Sequence, residues 1–498
     1  MSLAWLLAAN LVGLLLAALL LWPKLNQFLQ PFTYGRWIPL HLDWQLYGWC
    51  SLPLLGLLCI HFLDHDDRGP SRALQCLGLW SAGLLFGGLS WLNGHATGKV
   101  FLNWSGVSGN FFTIVLFLIW SYLAFGWYTR FIRVKTSEYL HPLFTTPQRA
   151  VDFVDRGRTA TEHQGKQMLR ASGLDESQES ERSKLRGMNP VAIQEPTVLL
   201  IIKAIGLLGL AGVPFLLLHT SNPEVYPPIN PESGGATGHS LLLSTLSLVF
   251  LMGLLPGLIL KLEAINSEKL KKTSRFFWGI FATSLVVYLL IDHGNASNNS
   301  FNQIFGLATL LVWPLLTYLQ WKNYSWNKSS RLWRWAFIFW WILLAIDGWL
   351  IFLPGILNIV KFTNVLVGHS HLAMGGMVTA LNMIILMEMG SLPSVRSILS
   401  KRIGFFLWNG GCLSYVIAMT LQGWREGINP SVLFSSDFLT TLAYQIRLMA
   451  GFLMISANAL WCWQYAAAVL ALRSKESTPL KPVLDTSAVH NNPKPTHA

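Results

Sequence analysis

Long apolar runs separated by short polar joints recur from one end of the chain to the other. Twelve of them approach the roughly 20 residues that a helix needs to cross the hydrocarbon core of a bilayer. They are Leu3–Trp22, Ile38–Leu63, Ala73–Leu92, Phe111–Trp127, Val198–Leu218, Ser240–Leu260, Phe276–Ile291, Phe301–Leu319, Trp335–Leu353, Phe362–Met387, Ile403–Leu421 and Phe438–Leu472. Numbered one to twelve, they predict an all-α polytopic membrane protein, a twelve-helix bundle. The first run has no basic start and no small-residue cleavage site before "WPKLNQ", so it reads as a span and not as a cleaved leader. Two stretches break the pattern. Residues 130–196, with "SGLDESQESERSKLRG", are too polar to pack as a core, and the chain from Ser474 is a Pro-rich tail. The expected organisation is helices one to four over 1–129, a polar insert over 130–196, helices five to twelve over 197–473 and a disordered tail over 474–498.

Composition agrees with the bilayer as solvent: 52% of the 498 residues are hydrophobic and 12% are charged, too few charges for a series of soluble domains. A net charge of +12 raises nucleic acid as a partner, but the basic residues sort by position instead. Outside the insert, joints after even-numbered runs hold residues such as Arg72, Lys269, Lys271, Lys272, Arg331, Arg334 and Lys401. Joints after odd-numbered runs hold only Lys24, Arg36, Lys99, Lys361 and Arg425. The positive-inside rule then puts both termini in the cytoplasm, with the inner (plasma) membrane of the cell as the expected location and no nucleic acid as partner. Tryptophans in "WKNYSW" and "RLWRW" near helix ends read as headgroup anchors. The five cysteines form no C-x-x-C pair and no C-x-x-C-H, which argues against a zinc site and against covalently attached haem.

Of the 13 histidines, His65, His141, His163, His490 and His497 fall in loops or tails, and His61, His95 and His219 at helix edges. Helix parity places the other five, His41, His239, His293, His369 and His371, at one level in the outer half of the membrane. Ionisable groups there are costly and mark a site. In "VGHSHLAMGGM" His369 and His371 are two positions apart, about 200° around a helix axis, and so project to opposite sides. A single metal held from one helix face needs i and i+4; this spacing suits two flat cofactors flanking helix ten. Gly375 and Gly376 leave room for a flat group or for a neighbouring helix. An iron with two axial histidines is closed and transfers electrons, and one with a single histidine keeps an open position. By count His41 completes the closed site, and His239 and His293 stand near the open one.

At these residues the chain resembles subunit I of the haem-copper oxidases, and most of all the C-type (cbb-type) cytochrome c oxidase subunit and its nitric oxide reductase relatives. The carrying segments are "YGRWIPLHLDWQLYGW", "VGHSHLAMGGM", "GGATGHSLLLSTLSLVFLM", and, less sharply, "GKVFLNWSG" and "YQIRLMAGF". The resemblance implies His41 and His371 on a low-spin haem b, His369 on a high-spin haem, His239 as the first copper ligand and Arg447 as a propionate contact. It implies Tyr288 as a catalytic residue, joined to His239 and supplying an electron and a proton. Where the family carries adjacent histidines in helix seven, this chain reads Asp292-His293-Gly294, so the copper site is divergent and one ligand short.

Three functions follow. One is a respiratory oxidase subunit, receiving electrons from a cytochrome c or a c-type haem subunit, working with other oxidase subunits, reducing O2 and translocating protons. Another is a nitric oxide reductase-like enzyme with iron in the third metal position. The third is a haem-bearing electron-transfer or assembly subunit that has lost the copper chemistry. A twelve-helix solute transporter leaves the paired histidines unexplained.

Overall fold

The computed structural model describes residues 1–63, 69–144, 197–235, 240–291, 299–389, 393–434 and 437–476. Twelve long helices carry the chain: α1 (Ser2–Leu21), α2 (Tyr34–Leu63), α3 (Gly69–Leu92), α4 (Gly106–Phe144), α5 (Thr197–Ser221), α6 (Leu241–Ile259), α7 (Ser267–Leu290), α8 (Phe301–Trp321), α9 (Arg331–Leu350), α10 (Asn364–Met389), α11 (Arg402–Ile428) and α12 (Phe438–Glu476). Among the described residues no strand forms beyond one isolated bridge between Ala264 and Tyr324. Eleven of these helices are long and apolar enough to cross a membrane, the architecture of a multi-pass helical membrane protein. The exception is α9, a 20-residue helix whose apolar run is diluted by Arg331, Arg334, Asp347 and five tryptophans. The expected tail begins inside α12, which continues to Glu476, and α4 continues to Phe144 into the expected insert; the remainder of both segments lies outside the described residues.

Two apolar cores hold the bundle. One is built largely from α6 to α12, around Trp340, Met383, Cys412 and Trp461; the other from α1 to α5, around Leu84, Trp91, Trp104 and Phe112. Helices α1 and α2 serve both, because successive residues leave a helix about 100° apart. Leu6 joins the first core and Trp5 the second, as Trp49 and Leu52 do on α2. Helix α12 lies against both α11 and α1, bringing the first and last described helices together.

Several of the tryptophans expected to anchor at the headgroups pack inside instead. Trp321, Trp326 and Trp333 are buried, whereas Trp335 is exposed. A buried indole needs a partner for its N–H. Trp321 donates to the Met252 carbonyl at 2.9 Å and Trp333 to Leu399 at 2.9 Å, so these rings pin one helix to the next.

Helices α2, α6 and α10 each contain a π-helical stretch, over Trp44–Cys50, Leu255–Ile259 and Leu372–Val378. A π-bulge inserts a residue into the helix and turns the side chains beyond it to new faces. The stretches in α2 and α10 follow His41 and His371 closely and are pinned to each other: Trp49 Nε1 donates to Thr379 Oγ1 at 2.9 Å, and Asn382 Nδ2 to the Trp49 carbonyl at 3.1 Å.

Candidate functional site

At the seam between the two cores lies a cavity of about 770 Å³, lined among others by His41, His369, His371 and Arg447. The imidazoles of His41 on α2 and His371 on α10 face each other across it, their centroids 6.2 Å apart and their planes 23° from parallel. A metal–imidazole bond is about 2.0–2.1 Å. With each ring centre roughly 1.1 Å behind its ligating nitrogen, two imidazoles on one metal sit about 6.2–6.4 Å apart, centre to centre. The observed separation of the ring centres, 6.2 Å, falls within that range.

Both rings are oriented through their Nδ1 nitrogens. His41 Nδ1 is 2.8 Å from the Ala9 carbonyl on α1, and His371 Nδ1 is 2.9 Å from the Val367 carbonyl one turn back on its own helix. A carbonyl only accepts, so each Nδ1 carries the proton and each Nε2 keeps its lone pair. This is the outer-shell hydrogen bond that fixes tautomer and ring orientation in metal-ligating histidines.

The backbone around His41 is cut to its ring. Ala9 and Gly13 are four apart on α1 and lie on one face. The first accepts the Nδ1 proton and the second makes room, since a Cβ on Gly13 would lie 2.6 Å from His41 Cε1. Two residues beyond His41, Asp43 is fully buried and accepts from Asn103 Nδ2 at 2.6 Å, tying α2 to the loop between α3 and α4. Tyr415 of α11 stacks on the His371 ring at 3.9 Å, 22° from parallel.

His369 turns the other way, toward α9, where its Nδ1 lies 2.7 Å from Asp347 Oδ2. Nδ1–H donates to the carboxylate, which leaves Nε2 available. Gly348 next to it presents no side chain to the ring; a Cβ there would be 3.3 Å from His369 Cε1. The two histidines of the H-x-H pair thus address different neighbouring helices, as their spacing implies.

Arg447 of α12 is buried, with its guanidinium 5.4 Å from the Tyr415 ring centre and Nη1 3.9 Å from Met419 Sδ. Its Nε has no hydrogen-bond partner among the described residues. A buried cation with an unsatisfied donor at a cavity wall is costly unless an anion completes it. The residues therefore fit a porphyrin: two opposed imidazoles for its iron, apolar walls, and a guanidinium in want of a carboxylate.

The structure brings together His41, His369, His371 and Arg447. Tyr288 is half-buried on α7 and is not one of the residues lining the cavity. His239, Asp292 and His293 lie outside the described residues, although Ser240, Leu241 and Ser244 bring the first turn of α6 to the cavity wall. Among the described residues no group of three or more His, Cys, Asp or Glu side chains gathers as a metal cage. Asp347 and Gly13 were missed in the sequence. Asp347 had a readable signal, an acidic residue inside the apolar run "WWILLAIDGWL"; Gly13 has none, because its role depends on a ring from another helix. No protein-family model and no curated protein matches the chain.

Proposed function

We propose that this chain is a haem-bearing redox subunit of a respiratory membrane complex, of the kind its resemblance to haem-copper oxidase subunit I implies. The observation that carries the reading is the His41–His371 pair, 6.2 Å apart with both Nδ1 protons given to carbonyls. His41 and His371 would hold one haem and His369 a second; the first would supply electron transfer and the second a site for a diatomic substrate. Ala9 and Val367 accept from Nδ1 of the two imidazoles and so hold them in the tautomer with Nε2 unprotonated. Asp347, 2.7 Å from His369 Nδ1, orients that ring as an outer-shell partner. Arg447 would neutralise the carboxylates of a ring bound at the cavity wall and so orient it. Tyr288 with His239, and His293 with a copper or an iron, complete the oxidase or reductase reading. Electrons then arrive from a cytochrome c or a c-type haem subunit, and both termini face the cytoplasm by the distribution of Lys and Arg.

One observation favours a second reading, a haem-bearing electron-transfer or assembly subunit: Gly294 follows His293 where a second imidazole is needed for a full copper ligand set. Metal analysis, oxygen consumption and carbon monoxide difference spectra of the purified protein test both. Two haems, a CO-sensitive spectrum and O2 uptake with a third metal support the oxidase; iron in that third position with NO turnover supports the reductase. Two haems with no CO shift support the electron-transfer subunit. A protein without haem refutes the proposal.

A further inference from the structure

At one end of α10 a carboxyl group from the neighbouring helix takes the place of a helix cap. Glu426 of α11 is buried, 2% exposed. Its Oε2 accepts the backbone N–H of Asn364, the first residue of α10, at 2.9 Å, and its Oε1 accepts Asn364 Nδ2 at 2.6 Å and Gln422 Nε2 at 3.2 Å. Three donors converge on two oxygens, an arrangement that an acceptor-only carboxylate satisfies and an amide does not. A negative group at this place also complements the positive end of the α10 dipole. Close approach is part of the design, because a Cβ on Gly423 would lie 2.0 Å from the Val365 nitrogen. Thr363 adds a second cap, its hydroxyl accepting from Val365 N at 3.3 Å.

The turn held in this way is the one that holds His371. Val367, whose carbonyl receives the His371 Nδ1 proton, stands three residues after Asn364. His369, two residues before His371 on the same helix, takes its Nδ1 partner from α9 instead. Resting on the haem reading above, we infer that Glu426 is a positioning residue for the low-spin haem alone: it fixes the first turn of α10, and so the Val367 carbonyl that accepts from His371 Nδ1 and orients its ring.

A ligand whose Nδ1 proton is drawn toward an acceptor is the more basic donor and favours the oxidised iron, so loosening that bond raises the midpoint potential. The test is a spectroelectrochemical titration of the purified full-length protein with Glu426→Gln, which keeps the volume and sets an amide NH2 against the Asn364 donors. Asn364→Ser is a milder variant that removes the Nδ2 bonds to Glu426 and Tyr444 and keeps the backbone N–H. Wild-type protein with two resolvable haem components establishes the underlying reading first. The inference expects the low-spin midpoint potential to rise in both variants, more in Glu426→Gln, while the CO-reactive component keeps its potential; selective loss of the low-spin spectrum in Glu426→Gln also supports it. Unchanged potentials, or both components moving or vanishing together, overturn it with the haem reading intact. Wild-type protein without haem removes the reading itself.

Discussion

Gly13→Ala is a one-carbon change with a worked cost. The added methyl would sit 2.6 Å from His41 Cε1 and 2.9 Å from its Nδ1. Carbon atoms rest at about 3.5–4.0 Å, so the ring must retreat by roughly 1 Å. The ring cannot retreat freely, because its Nδ1 is held 2.8 Å from Ala9. Either that bond lengthens beyond a useful hydrogen bond or Nε2 leaves its line with His371. Overpacking of this kind costs about 1–3 kcal/mol, against the roughly 1 kcal/mol that alanine gains over glycine inside a helix. At about 1.4 kcal/mol per tenfold, and with outer-shell losses typically 10–100-fold in metal affinity, low-spin haem affinity is expected to fall about 10–100-fold. Haem per chain and reduced-minus-oxidised spectra read the effect, with the CO-binding component as internal reference. Gly410→Ala on α11, where a Cβ would meet nothing within 4 Å, is the control and should keep both components. A Gly13→Ala protein with full haem content and an unaltered low-spin spectrum would refute the reasoning.

Asp347→Ala frees His369 from its orienting carboxylate and should lower the CO-reactive haem about 10–100-fold in affinity while sparing the low-spin spectrum; CO difference spectroscopy checks it. Arg447→Met should have opposite signs in the two forms. Haem-free protein gains about 1–3 kcal/mol, because an unsatisfied buried donor is removed, whereas haem-loaded protein loses retention, as thermal unfolding with and without haem would show. At the start of α12, Asp437 is held down to about 2 by its hydrogen bonds to Thr440 and Arg425. A depressed carboxyl contributes stability that is complete above its ordinary value of 3.8 and is lost as pH falls toward 2. The melting temperature of wild type should therefore drop over that acid window, and Asp437→Asn should flatten the drop.

Much of the architecture was legible because the bilayer imposes one strong rule, long apolar helices with polar joints, and among the described residues eleven of the twelve runs lie in helices long and apolar enough to cross a membrane. The opposed directions of His369 and His371 followed from helical periodicity over two residues, upstream of the π-helical stretch at Leu372–Val378 that periodicity does not reveal. The His41–His371 pairing was reached by count and by resemblance; neither gives the distance, which depends on how α2 and α10 pack. Trp321, Trp326 and Trp333 misled, since an indole near a helix end reads the same whether it meets headgroups or another helix. Ala9, Gly13 and Glu426 act through rings and backbone more than 20 residues away, and local pattern carries no trace of such contacts.

The most direct test of two haems divided between opposite sides of α10 is a paired experiment: haem content and optical and paramagnetic spectra of purified wild type beside His371→Ala and His369→Ala. The account expects two haems per chain in wild type, loss of only the six-coordinate component in His371→Ala and loss of only the CO-reactive component in His369→Ala. Wild-type protein without haem, or two variants that lose the same component, would contradict it.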